Sequence, residues 1–93
     1  MTPETAIKKQ IKDYLKIKGW LCFYNLQGLG SYPGIPDLTA IKDGRVLQIE
    51  VKTPKGKQSA KQVSFQADWE AFGGEYVVVR SYLDVEDAIK KGG

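Results

Sequence analysis

The chain has no histidine, one cysteine and one methionine among its 93 residues. Without histidine there is no imidazole base, so Ser–His–Asp and Cys–His catalysis are excluded. A single cysteine rules out an internal disulfide and a thiolate-rich zinc site. Long apolar runs are missing too. The longest span only a few residues, such as Tyr76-Val77-Val78-Val79, far short of a membrane-crossing helix. No apolar signal-peptide core stands near the N-terminus. A cytoplasmic protein with no membrane partner and no small-molecule cofactor is the expectation. Carboxylates, lysines, hydroxyls and amides remain for chemistry, the donor set of a hard cation such as Mg²⁺.

What is present describes an ordinary globular chain, 42% apolar and 27% charged, so disorder is not expected. The length suits one domain over residues 1–93. Folding at this size hides only about 60–65% of the unfolded chain's surface, so the core should be thin. Fourteen Lys and Arg against eleven Asp and Glu leave a net charge of +3. All but Arg45 and Arg80 of those cations are lysines, bunched over residues 8–18 and 52–61. A soluble polyanion would meet such clusters; a merely solvated surface is the alternative.

The order of elements reads αβββαβ plus a short C-terminal helix. Thr2-Pro3-Glu4 supplies an N-cap, a proline at the first helical position and an acid in the first turn. Ile7, Ile11, Tyr14 and Leu15 then recur on one helical face, and Gly19 ends the helix. Trp20–Leu26 is strand-like, and residues 27–34 form a loop rich in glycine. Pro36–Ile41 and Arg45–Lys52 form a hairpin about Asp43-Gly44, the dipeptide favoured in type I′ turns. After a basic loop, Ser59 caps a second helix with Phe65, Trp69 and Phe72 on one face, closed by Gly73-Gly74. Glu75–Arg80 is a short buried strand, and Asp84 caps the last helix. Trp20, Phe65, Trp69 and Phe72 are assigned to the core, and Cys22 to a buried or half-buried position without a role.

The hairpin carries the sharpest inference. With Asp43 and Gly44 in the turn, Lys42 pairs with Arg45, Ala40 with Leu47 and Leu38 with Ile49, an apolar face. On the other face Asp37 then lies opposite Glu50. Opposed like charges destabilise a sheet, so a cation between the two acids would explain them. Lys52, two residues beyond Glu50, projects from the same face. The alternatives are a bulge that shifts this register, or two solvated acids on an open face.

Two further polar residues admit two readings each. Glu4 stands two helical turns before Ile11, on the core-facing stripe; otherwise it complements the helix dipole. Gln62 closes a Ser-x-x-Gln capping box with Ser59, or points toward the carboxylates. Lys8, Lys9, Lys12 and Lys16 lie off the apolar stripe, and Lys55, Lys57 and Lys61 flank the hairpin's end, as a phosphate track requires. Ser31 and Tyr32 stand in the glycine-rich loop, where Tyr32 would stack on a base or cover its own loop. No exposed apolar patch is legible in the pattern.

Gly34-Ile35-Pro36-Asp37-Leu38, Ile49-Glu50-Val51-Lys52 and Gln58-Ser59-Ala60-Lys61-Gln62 together resemble the VRR-NUC (virus-type replication-repair nuclease) family of the PD-(D/E)xK superfamily. The resemblance runs from Glu4 to Arg80. It implies an α/β, restriction-endonuclease-like core: a mixed β-sheet flanked by helices. It further implies that Asp37, Glu50, the Val51 backbone carbonyl and Glu4 hold Mg²⁺ or Mn²⁺. Lys52 would orient or deprotonate the attacking water, and Gln62 would be the motif's helix-two glutamine. Where the family often has Leu-Ser-Pro before that glutamine, this chain has Gln58-Ser59-Ala60. Small stand-alone members resemble phage and bacterial Holliday-junction resolvases that act as homodimers, which implies branched DNA as partner, roles in DNA repair and recombination, and a bacterial or phage-infected cell. Flap or nicking endonuclease activity, and a catalytically silent DNA-binding module, are the alternatives. A second subunit would also extend a thin core; the first helix and the segment after Arg80 are candidate surfaces for it.

Overall fold

A computed structural model describes residues 2–91. The first helix, α1 (Pro3–Ile17), begins as expected: the Thr2 hydroxyl accepts the Thr5 N–H at 3.1 Å, and Pro3 occupies a position whose N–H would have no helical partner. Three strands follow, β1 (Leu21–Tyr24), β2 (Leu38–Lys42) and β3 (Arg45–Val51), then α2 (Ala60–Ala71), β4 (Glu75–Val79) and α3 (Tyr82–Lys91). The strands lie in the order β1-β2-β3-β4; the first three are antiparallel and β4 runs parallel to β3. A parallel neighbour needs a crossover, and α2 provides it. The result is the expected α/β architecture, a mixed four-stranded sheet flanked by three helices.

Asp43 and Gly44 have φ of 52° and 80°, the two positive angles of a type I′ turn. The turn sets Lys42 opposite Arg45, Ala40 opposite Leu47 and Leu38 opposite Ile49. Those apolar pairs lie under α1 and α3, where Ile11, Leu15, Trp20, Val51, Val79 and Val85 complete one buried cluster. Arg45 tethers this side. It holds the Glu75 carboxylate by two bonds (2.7 and 2.9 Å) and donates to the Ala88 and Ile89 carbonyls at the end of α3.

The opposite face is built differently from the sequence expectation. Helix α2 has no fully buried residue; Phe65 and Trp69 are half-buried, and Phe72, the C-cap, is 93% exposed. The sheet beneath presents Thr39, Gln48 and Glu50, so this helix covers polar groups and needs only part of an apolar stripe. Phe65 stacks on Trp69 and tilts against Tyr76. A second correction concerns α3, which starts at Tyr82: Asp84 lies inside the first turn, its carboxylate accepting the Arg80 N–H at 2.8 Å. A third concerns the surface. Leu21, Phe23, Tyr24, Leu26 and Leu29 are all exposed along the edge strand β1 and the loop after it, an apolar strip hidden from pattern reading because β1 is too short to show which face is covered. Among the described residues no helix is long and apolar enough to cross a membrane.

Candidate active site

Asp37 stands just before β2, held by backbone on both sides. Its N–H donates to the Ile49 carbonyl at 3.1 Å and its carbonyl accepts the Asn25 N–H at 2.9 Å. The straight ladder ends at Leu38–Ile49, so Asp37 is not a further square pair with Glu50, as the hairpin register alone suggested. The carboxylate instead folds along β3, and Oδ2 accepts the Val51 N–H at 2.8 Å. Glu50 sits beside it in the most buried strand of the sheet. Asp37 is 8% exposed and Glu50 only 1%. Lys52 follows on the same face of β3, with Nζ 3.5 Å from Glu50 Oε1. The expected convergence of two acids and one amine is therefore present, reached through a kink at Asp37.

Burial, first, and then the neighbouring Asp37 charge push the Glu50 carboxyl up to about 8, with Lys52 opposing the rise. Removing a carboxylate from water favours its neutral form, and a second acid beside it adds to the effect. Glu50 Oε2 is buried and has no hydrogen-bond partner. Such an orphaned oxygen is costly in a folded interior and asks for a ligand.

The donor set fits a small hard cation. Among the described residues no three His, Cys, Asp or Glu side chains come close enough to form a metal cage; the protein offers the Asp37–Glu50 pair, with the Val51 backbone next to it. A Mg²⁺-type ion is usually held by one or two carboxylates and keeps several waters, so a pair with one unsatisfied oxygen is the kind of partial site it takes. Glu4 does not complete a third vertex. Its half-exposed carboxylate lies 3.7 Å from the ammonium of Lys8, one turn further along α1.

Lys8 is the residue whose position sequence reasoning misplaced. It does not stand free on a phosphate-binding face: its Nζ lies 3.0 Å from Asp37 Oδ1, and the side chain is only 25% exposed. Its spacing from Glu4 was the available signal, since residues four apart share a helix face. Gln62, too, is engaged elsewhere. Its side-chain oxygen accepts the Ser59 N–H at 2.8 Å while the Ser59 hydroxyl accepts the Gln62 N–H at 3.2 Å, so the capping box forms and takes up the amide oxygen.

A polar network that no motif announced fixes the Pro36–Asp37 peptide. Asn25 donates from Nδ2 to the Pro36 carbonyl and to Gln48 Oε1, both at 3.0 Å; Gln27 donates to the Pro36 carbonyl at 2.8 Å; the Thr39 hydroxyl donates to Asn25 Oδ1 at 2.6 Å. These residues come from three elements, which is why no local spacing marks them.

Around the site, Lys9, Lys55, Lys57 and Lys61 are exposed and Lys12 is half-buried. Lys9 pairs with Asp13 at 2.9 Å, and the Lys12 ammonium lies 4.7 Å from the Tyr24 ring centre. The guanidinium of Arg80 donates to the Thr53 and Gly56 carbonyls and so braces the basic loop. The glycine-rich loop packs against α2. Tyr32 meets Phe65 of α2 edge-on at 5.7 Å between ring centres and is still 61% exposed. A Cβ at Gly34 would lie 2.1 Å from the Lys61 carbonyl oxygen, and its φ is +76°, so only glycine lets the loop approach there. The Ser31 hydroxyl donates to the Gly28 carbonyl at 2.7 Å, inside the loop's own turn.

No protein-family model and no curated protein matches the sequence. A solved structure of a VRR_NUC domain does match the fold, with a TM-score of 0.82 and 26% sequence identity over 97% of this chain and 97% of that one. Whole-fold likeness and the motifs around Asp37, Glu50 and Lys52 agree: the chain has the fold of a VRR_NUC domain, an α/β core of the PD-(D/E)xK type.

Proposed function

We propose that the protein is a Mg²⁺- or Mn²⁺-dependent DNA endonuclease, a Holliday-junction resolvase that works as a homodimer. The observation that carries the chemistry is the buried Asp37–Glu50 pair with its orphaned Glu50 oxygen and Lys52 alongside. In this reading Asp37, Glu50 and the Val51 carbonyl hold the cation, which when bound polarises the scissile phosphate and acidifies the attacking water. Lys52 orients that water or takes its proton; with no histidine in the chain, it is the amine that follows β3 and stands beside Glu50. Asp37 keeps its geometry through the Val51 N–H and the Pro36 peptide clamp, so little reorganisation accompanies the reaction.

Substrate and assembly rest on the surroundings. The exposed lysines of α1 and of the basic loop flank the acid pair and suit backbone phosphates, which position a nucleic acid without reading its sequence. Resolving a four-way junction needs two symmetric nicks, and one chain carries one carboxylate pair, so a two-fold dimer supplies both. The apolar strip of Leu21 and Phe23 on edge strand β1 and Leu26 and Leu29 in the loop after it supports a second copy there, in place of the helix and C-terminal surfaces expected from sequence.

One gel tests the reading. The protein is incubated with a mobile four-way junction, a flap and a plain duplex, with Mg²⁺, with Mn²⁺ and with EDTA. Paired nicks in the junction that vanish with EDTA are expected; flap cutting alone would replace resolvase by flap nuclease, and no cutting with either metal would remove the enzyme reading. Asp37→Asn should keep junction binding in a mobility-shift assay and lower cleavage by about 10³-fold, the scale on which enzymes lose rate when a charge-stabilising group is removed. Sedimentation at micromolar concentration should give twice the chain mass, and a monomer that still resolves junctions would refute the dimer.

A further inference from the structure

The two oxygens of Asp37 have different partners. Oδ2 is fixed by the Val51 N–H at 2.8 Å, a backbone contact set by the strand itself. Oδ1 faces the ammonium of Lys8 at 3.0 Å. Lys8 reaches it from α1, on a flexible four-carbon stem, and the same ammonium lies 3.7 Å from Glu4. The oxygen free of backbone constraint, and so open to an incoming ligand, is thus the one already covered by a cation. Lys52 stands on the Glu50 side at 3.5 Å, so the paired acids are flanked by one lysine each, from different elements.

We propose that Lys8 is a resident counter-cation of the carboxylate pair: it holds Asp37 in the metal-free protein and must leave Oδ1 when a divalent cation binds. This rests on the metal site of the proposed nuclease and assigns Lys8 a role there, distinct from a surface phosphate contact. The physical argument has two parts. In the metal-free state the ammonium compensates the buried Asp37 carboxylate, which would otherwise stand unpaired at the end of the β2–β3 hairpin. On binding, the same positive charge opposes the arriving ion at close range, and its hydrogen bond to Oδ1 has to be given up. Lys8 therefore stabilises the empty site at a cost in metal affinity, and the stem allows the ammonium to withdraw toward Glu4 or solvent. As a positioning residue it acts through Asp37.

The experiment is calorimetric titration of Mn²⁺ into DNA-free protein, paired with thermal melts without metal. Lys8→Met keeps the aliphatic stem and should tighten Mn²⁺ binding about tenfold, since a unit charge a few ångströms from the ion is lost, while lowering the metal-free melting temperature. Lys8→Arg retains the charge and should bind Mn²⁺ within about threefold of wild type, because the ion still meets a cation at Oδ1. Lys90→Met removes the same charge from the exposed end of α3, beside the Asp43-Gly44 turn at the far end of the hairpin, and should also change affinity by less than about threefold, solvent screening such a distant charge. Unchanged or weaker Mn²⁺ binding by a folded Lys8→Met protein, with Asp37→Asn abolishing it, would overturn the role of Lys8 alone. Equal binding by wild type and Asp37→Asn would overturn both this inference and the metal site on which it rests.

Discussion

The two faces of the sheet do opposite work with the same strands. Under α1 and α3, β3 presents Leu47, Ile49 and Val51 to a closed apolar cluster. On the other face the alternate residues are Val46, Gln48 and Glu50, the last two buried, with half-buried Phe65 and Trp69 beside Gln48. A strand buried on both sides normally reads as a continuous apolar run; here one side is polar at a cost in stability. The first face holds the chain together, and the second keeps two acids away from bulk water. An enzyme commonly stores destabilising groups in its active site and relies on the rest of the fold to tolerate them.

The largest effect should come from weakening the supporting face. Ile49→Ala should cost about 2–5 kcal/mol by lost burial and a residual cavity, a large part of a small domain's stability, read as an early urea midpoint; a loss below about 0.5 kcal/mol, the level of an ordinary surface change, would mean that the apolar face is not what holds the sheet.

Glu50→Gln tests the other face in the opposite direction. Glu50 is held up to about 8 against an ordinary 4.5, so between those values the folded chain retains a proton that the unfolded chain releases. Stability of the metal-free protein therefore falls as pH rises through that window, and the cost stays constant above it. Glu50→Gln should melt higher than wild type at pH 8.5 without metal, by about 4–8 °C for each kcal/mol recovered, and show no such gain near pH 4. A variant that melts lower at both pH values would make Glu50 a structural acid.

Smaller effects are expected from Gln62 and Phe72. Gln62→Ala should lower stability by about 0.5–1 kcal/mol through loss of half a capping box and leave cleavage within about threefold, because its oxygen serves the Ser59 N–H. Phe72→Ser should change stability by less than about 0.5 kcal/mol, as exposed positions do, although pattern reading placed it in the core.

Much of this was legible beforehand because it is local. Asp43-Gly44 admits few backbone conformations, and once the turn is set the pairing of Leu38 with Ile49 follows. Thr2, Pro3 and Ser59 mark helix starts through bonds made within four residues. Phe72 and Asp84 were misplaced because cap and first turn differ by one or two residues in a pattern, and because the apolar stripe of α2 meets a polar sheet.

Composition set the chemical repertoire, and the Asp43-Gly44 turn fixed the register that carries Asp37 to the end of β3 near Glu50 and Lys52, although the final approach of Asp37 runs through a kink. Tertiary structure decided the rest, for reasons of distance. Lys8 meets Asp37 only because α1 packs across the end of the sheet, and Asn25, Gln27, Thr39 and Gln48 clamp the Pro36 peptide only once three separated segments are in place. Burial of Glu50, and with it the charge state that a divalent cation would meet, is likewise a property of the assembled sheet, because desolvation is set by everything that surrounds a group and spacing along the chain cannot report it.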